Sequence, residues 1–172
     1  MASVPLKVQP KRFSVRKAEL EDAAAIGAIH AQSWKTTYKG IIHQSFLDSI
    51  DVDNRIAAAI VRIKNPITES IVLVDDETKK VVGFTDIGPC REKNVDADGE
   101  LHMIYLFKEY QGFGGGKLLF QEAVKIAKQR GYRKMMVSVL AKNVESRRFY
   151  EKMGAEYIGE DHVDIEKHRY PT

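Results

Sequence analysis

The stretch that decides the fold runs Glu100-Leu-His-Met-Ile-Tyr-Leu-Phe-Lys-Glu-Tyr-Gln-Gly-Phe-Gly-Gly-Gly-Lys117, and a strong helical pattern follows it at once. Its first eight residues read as a strand. With strict alternation, Glu100, His102, Ile104 and Leu106 share one face, and Leu101, Met103, Tyr105 and Phe107 share the other. Both faces are largely apolar, which predicts a central strand covered on both sides. Gly112, Gly114, Gly115 and Gly116 then supply a backbone able to reach positive φ and to bring bare N–H groups against a ligand. They open a helix, where the first N–H groups have no intrahelical acceptor and the dipole favours an anion. Strand, glycine loop and helix N-terminus together predict a phosphate-binding corner.

Two common phosphate motifs do not fit this corner. In a Walker A loop Gln111 would be glycine and Leu118 would be Ser or Thr, and in a dinucleotide fingerprint Lys117 would be glycine. Outward from the loop, Leu119, Ala123, Ile126 and Ala127 keep the i, i+4, i+7, i+8 spacing of a helix that ends at Gly131. Met135 to Leu140 reads as another apolar strand. Asn143 is placed to cap a short helix carrying Phe149 and Met153, and Ala155 to Ile165 alternates weakly as a further strand.

Upstream, residues 1–12 read as a loose lead-in with Pro5 and Pro10, and residues 13–172 as a single domain. Phe13 to Lys17 alternates as a first strand. A helix with Ile26, Ile29 and Trp34 starts near Asp22, and a stretch with two exposed-looking aromatics, Trp34 and Tyr38, breaks at Gly40. A longer helix, with Asp53 as its cap and Ile56, Ile60 and Ile63 on one face, stops before Pro66. Two strands, Ile71 to Asp75 and Val81 to Gly88, form a hairpin around Asp76–Lys80, and a polar loop from Cys90 to Gly99 leads back to the central strand.

Composition narrows the function classes. Hydrophobic residues make 44% and charged residues 30%, the balance of a globular chain with a real core. A net charge of +3 with scattered basic residues argues against nucleic acid. Cys90 stands alone, so no internal disulfide forms, and the histidines lack metal-ligand spacing. No apolar run reaches the length of a membrane span, and the expected compartment is the cytoplasm.

Two motifs in order carry a resemblance. Gln111-Gly-Phe-Gly114-Gly-Gly116 resembles the Gln/Arg-x-x-Gly-x-Gly/Ala acetyl-CoA pyrophosphate loop of the Gcn5-related N-acetyltransferase (GNAT) superfamily. Asn143-Val-Glu-Ser-Arg-Arg-Phe-Tyr-Glu-Lys-Met-Gly154 resembles the pattern that follows the superfamily's fifth strand. The likeness runs over roughly residues 13–165, and Trp34…Tyr38-x-Gly40 is similar to a bacterial branch that includes PaiA-type polyamine acetyltransferases. It implies an α/β (α+β) fold: a mixed, mostly antiparallel sheet of about 6–7 strands, about 4 flanking helices, and a V-shaped gap beside the fourth strand. One departure stands out: the chain stops at Pro171-Thr172, where the seventh strand should be starting. An abbreviated last hairpin, a shortened chain and completion by a partner are the three readings of it.

The resemblance also implies chemistry. Acetyl would pass from acetyl-CoA directly to the amine of a small molecule or peptide, with no metal and no covalent enzyme intermediate. Main-chain groups of Gln111, Gly112, Phe113, Gly114, Gly115 and Gly116 would hold the pyrophosphate, with Lys117 adding charge. Backbone at Ile104, Tyr105 and Leu106 would pair with pantetheine as an added strand, and Asn143 would contact the cofactor. Glu100 is the expected base, its pKa raised if the strand start is buried, with His102 in reserve; Tyr150 is the expected proton donor to the CoA thiolate. Trp34, Tyr38, Asp86 and Glu100 are expected on the acceptor side, where Asp86, Asp96, Asp98 and Glu100 would attract a spermidine-type polyamine. A CoA-binding sensor or scaffold without turnover is the alternative from another class. Dimerisation is common in that superfamily, although no surface of this sequence points to it.

Overall fold

The computed structural model describes residues 11–172; of the expected lead-in, residues 1–10 lie outside the described part. Among the described residues, seven strands and five α-helices follow one another. These are β1 (Phe13–Lys17), α1 (Ala23–Thr37), α2 (Gln44–Asp48), α3 (Val52–Lys64), β2 (Glu69–Asp75), β3 (Val81–Pro89), β4 (Gly99–Leu106), α4 (Gly115–Gln129), β5 (Met135–Met136), α5 (Val144–Lys152), β6 (His162–Ile165) and β7 (His168–Pro171). Strands β1 to β5 form one sheet in sequence order, antiparallel except for the parallel β4–β5 pair, and β6–β7 form a separate antiparallel hairpin. The expected mixed, mostly antiparallel sheet is present with five strands, and the helices number five.

The two faces of the sheet carry different cores. On one face Leu119, Ala123, Ile126 and Ala127 of α4 pack with Leu73, Ile87, Leu101 and Leu106, and Tyr150 of α5 joins them. On the other, Ile26 and Ile29 of α1 and Ala59 of α3 pack against Val72 and Phe84. The spacing of apolar positions in α4 thus buries the face it marks out in sequence.

Strand β4 departs from strict alternation. Asp86 pairs with Met103 and its neighbour Ile87 pairs with Leu101, so His102 is an extra residue, a β-bulge. Beyond it the faces exchange. Leu101, Ile104 and Leu106 lie on the α4 side, while Met103 and Tyr105 lie on the α1/α3 side.

The last two strands of the sheet, at one edge, then part. β4 and β5 pair only at Gly99 with Met135 and Glu100 with Met136. The run Met135 to Leu140, expected as a full strand, therefore pairs over two residues and then opens the V-shaped gap. The last hairpin is short: β7 is four residues long, and Ala141 N–H donates to the Pro171 carbonyl at 2.8 Å. Tyr170 Oη accepts from His43 N–H at 3.1 Å, which ties this hairpin to the start of α2.

Helix caps follow the sequence in one case and shift in another. Asn143 accepts from Ser146 N–H at 3.2 Å, as its position predicts. The cap of α3 is Asp51, which accepts from Asp53 N–H at 2.9 Å; the expected Asp53 lies inside the helix. Among the described residues no helix is long and apolar enough to cross a membrane.

Candidate active site

The gap between β4 and β5 is a narrow cleft of about 50 Å3, lined by Tyr38, His102, Met103, Ile104, Tyr105, Ser138, Asn143 and Tyr150 among others. The sheet itself creates it, because splayed parallel strands leave main-chain groups of β4 without a neighbouring strand. At one end lies the glycine loop, one turn past the end of β4.

In that loop Gly112 and Gly114 have φ of +81° and +88°, a region that side chains with a Cβ avoid. A Cβ placed on either would meet no protein atom within 4 Å, so the space above them is open. Gly114 caps α4. Among the described residues, no hydrogen bond engages the N–H groups of residues 112–117; the first in the series to be used is Leu118, which donates to Gly114. Six free donors at the N-terminus of a 15-residue helix are what an anion of pyrophosphate size requires. Gln111 turns away and donates from Nε2 to the Leu106 carbonyl at 3.3 Å, which ties the loop to β4.

At the other end lies Glu100, only 2% exposed. Its Oε2 accepts from the Arg91 main-chain N–H and from Arg91 Nε, each at 3.0 Å, and its Oε1 accepts from Arg91 Nη2. Burial pushes this carboxyl up, but the Arg91 hydrogen bonds and charge outweigh it and hold the group below the usual range. This corrects the expectation of a raised pKa. The reserve candidate, His102, sits 3.9 Å from Glu100 Oε2, with Nε2 at 3.2 Å from the Pro89 carbonyl. A carbonyl only accepts, so a neutral His102 carries its proton on Nε2, leaving Nδ1 as the basic nitrogen.

Tyr150 lies on α5 and is 7% exposed, facing the cleft. Burial, with the nearby Tyr38 adding, pushes its phenol well above the ordinary value. Asn143 is buried beside it and also lines the cleft, with its Oδ1 spent on capping α5.

The acidic acceptor side does not assemble as expected. Asp86 is 1% exposed, lies 2.6 Å from Arg62 Nε of α3, and accepts from the Ser70 hydroxyl across the β2–β3 pair. Glu100 pairs with Arg91, Asp98 with Arg133 at 3.4 Å, and Asp96 with Lys134. Each carboxylate is neutralised inside the molecule, so Asp86 holds β3 to α3 and is not presented to a ligand. Trp34 and Tyr38 are half-buried instead of exposed, packed on each other with ring centroids 4.9 Å apart and hydrogen-bonded to Tyr105. Sequence reasoning missed Arg91, because nothing in its loop shows that it folds back on Glu100. It also missed the Tyr105 hydroxyl, which the expected alternation placed on the opposite face from Glu100.

Comparison with known proteins identifies the family. The model of the acetyltransferase (GNAT) family matches residues 41–155. The chain belongs to the GNAT family. Over 88% of its length it is 34% identical to the uncharacterized N-acetyltransferase YuaI of Bacillus subtilis (strain 168), covering 85% of that protein. It is 27% identical, over 89% of its length and 94% of the relative's, to the spermidine N(1)-acetyltransferase of Thermoplasma acidophilum. In fold it is similar to the solved PaiA N-acetyltransferase of Thermoplasma acidophilum in complex with coenzyme A, with a TM-score of 0.69, 24% identity, and 93% and 96% of the two chains covered. As a GNAT protein it is an acyltransferase that uses acetyl-CoA as co-substrate and acts on amines.

Proposed function

We propose that this GNAT protein acetylates a primary amine of a small molecule or of a peptide N-terminus, by direct attack on acetyl-CoA in the β4–β5 cleft. The observation that carries the reading is the set of six unused N–H donors at residues 112–117, which follow directly on β4, the strand that borders the cleft that Tyr150 and His102 line. When bound, acetyl-CoA supplies the activated acetyl group. The free N–H groups of Gly112 to Lys117 would hold its pyrophosphate, and the side of Ile104 to Leu106 that no strand covers would hold pantetheine and, through one N–H, the thioester oxygen.

An alkylamine arrives protonated, with a pKa of about 10.4, and must lose a proton. Glu100 is a poor acceptor for it, since three Arg91 donors occupy both oxygens. In this reading His102 takes the proton at Nδ1, and the Glu100 carboxylate at 3.9 Å stabilises the imidazolium that results. Replacing His102 with glutamine should then lower turnover on the order of 10²-fold, whereas Glu100→Gln should cost clearly less. Loss of turnover in Glu100→Gln with His102→Gln near wild type would return the base role to Glu100.

A phenol is already less acidic than a thiol at about 8.5, and burial widens the gap for Tyr150. Tyr150 therefore donates a hydrogen bond to the departing sulfur and keeps its proton. Tyr150→Phe should lower kcat about 10–100-fold while acetyl-CoA affinity, measured by calorimetry, changes less than about threefold. Unchanged kcat would remove Tyr150 from the reaction.

The polyamine alternative draws support from the spermidine-acetylating relative. It loses its electrostatic basis in the four internally paired carboxylates. Acetyl-CoA consumption against spermidine, free amino acids, aminoglycosides and peptide N-termini tests the whole reading. Binding of acetyl-CoA with no turnover on any amine would favour a non-catalytic sensor.

A further inference from the structure

Two polar hydrogens compete for a place at the Tyr105 oxygen. Trp34 Nε1, which can only donate, approaches it at 3.0 Å, and Tyr38 Oη lies 3.1 Å away. The Tyr105 ring is held in place: His30 stacks on it with centroids 5.3 Å apart and planes 19° apart, and Phe84 tilts against it at 5.9 Å. His30 is itself kept neutral, its pKa lowered to about 3 by burial and by Arg55 and Arg62, so it adds no charge beneath the phenol.

The direction of these bonds follows. Tyr105 accepts from Trp34, and its own hydrogen has one acceptor within reach among the described residues, Tyr38 Oη. If Tyr38 donated instead, the hydrogen of the half-buried Tyr105 would be left without a protein acceptor, at a cost of about 1–3 kcal/mol. Tyr105 therefore donates to Tyr38, and the Tyr38 hydrogen is left for whatever fills the cleft that Tyr38 and Tyr150 both line. A chain Trp34 N–H to Tyr105 O–H to Tyr38 O–H polarises its last member and makes it a better donor.

We propose that Tyr38 is a second catalytic hydroxyl, donating alongside Tyr150 to the sulfur that leaves, with Trp34 and Tyr105 as positioning residues that fix and polarise it. This rests on the acetyl-transfer reading and adds a residue to it. As the amine nitrogen forms the C–N bond, the C–S bond breaks and its electron pair goes to sulfur. The ammonium proton passes to His102 and on to solvent before attack, and the second proton, which the nitrogen sheds as the amide forms, goes to His102 in turn. The thiolate, held by two O–H donors, takes a proton from water on release. Neither tyrosine forms a covalent bond.

CoA itself is the probe, since it needs no acceptor. The thiol of enzyme-bound CoA is titrated by the ultraviolet absorbance of its thiolate in the wild type and in Tyr38→Phe, with CoA affinity measured in parallel. Tyr38→Phe should raise the midpoint by about one to two pH units, the loss of one hydrogen bond to a charged group. It should lower kcat on the order of 10²-fold and leave CoA affinity within about threefold.

Tyr105→Phe keeps the stacked ring and breaks the relay. It should move the midpoint in the same direction by less, and in the Tyr38→Phe background it should have no further effect; additive shifts would mean packing and overturn the relay. An unchanged midpoint in Tyr38→Phe with CoA bound overturns the second donor and leaves acetyl transfer standing. Failure of the wild type to bind CoA would overturn the acetyl-transfer reading instead.

Discussion

Replacing Gly114 with valine should give a folded protein that no longer binds acetyl-CoA, with affinity lost by 10²-fold or more. The two parts of this expectation come from different atoms. Folding bears only the strain of a β-branched residue at φ +88°, about 1–2 kcal/mol. The added Cβ meets no protein atom within 4 Å, so no core contact is disturbed. At roughly 2–4 °C per kcal/mol for a domain of this size, the melting temperature should fall by only about 2–8 °C. Binding bears the rest, because the new side chain would occupy the open space that the free N–H groups of residues 112–117 face. The neighbouring position is the control: at Gly115 a Cβ would come within 2.5 Å of Leu73 Cδ2, so valine there should damage the core instead. Calorimetry with acetyl-CoA and a thermal melt on each variant separate the two effects. Affinity of the Gly114→Val protein within about threefold of wild type would remove the loop from the binding site.

The sequence was legible wherever the signal was local. Gln111 to Lys117 lies within seven residues of chain, and the α4 stripe of Leu119, Ala123, Ile126 and Ala127 repeats within two turns, so loop, helix and buried face could all be read directly. Asn143 as a cap is equally local. What could not be read depends on partners far along the chain. The bulge at His102 exists because Asp86 and Ile87 of β3 pair with Met103 and Leu101. It moves Tyr105 to the α1/α3 side, where it meets Trp34 and Tyr38 from a helix some seventy positions earlier. Met135 to Leu140 has the composition of a strand, but only Met135 and Met136 find a neighbouring strand, and Val137 to Val139 border the cleft. Charge was the least legible property. Asp86, Asp96, Asp98 and Glu100 look like an acidic surface in one dimension, and in three each has a basic partner.

Of those four pairs, Asp86–Arg62 should have the largest effect on stability, and Asp86→Asn the clearest consequence. Asp86 is 1% exposed, and the Arg62 side chain is 18% exposed, so neither charge is well solvated. Burial pushes the Asp86 carboxyl up even against Arg62 and Ser70, a sign of how costly the site is for a charge. Removing the carboxylate leaves Arg62 as a charge without a counterion beneath β3, and takes from the Ser70 hydroxyl its charged acceptor. Breaking a buried pair from one side costs about 3–5 kcal/mol, and the remaining access of Arg62 to water puts this one at the lower end, about 3 kcal/mol. Urea unfolding should show that loss, and the double variant Arg62→Met with Asp86→Leu should recover much of it, because an apolar pair of similar volume carries no desolvation cost. The KM for whichever amine the panel identifies should stay within about threefold of wild type, since Asp86 faces α3 and not the cleft. A tenfold rise in that KM with stability unchanged would show instead that Asp86 touches the acceptor, and that the ion pair opens when the amine binds.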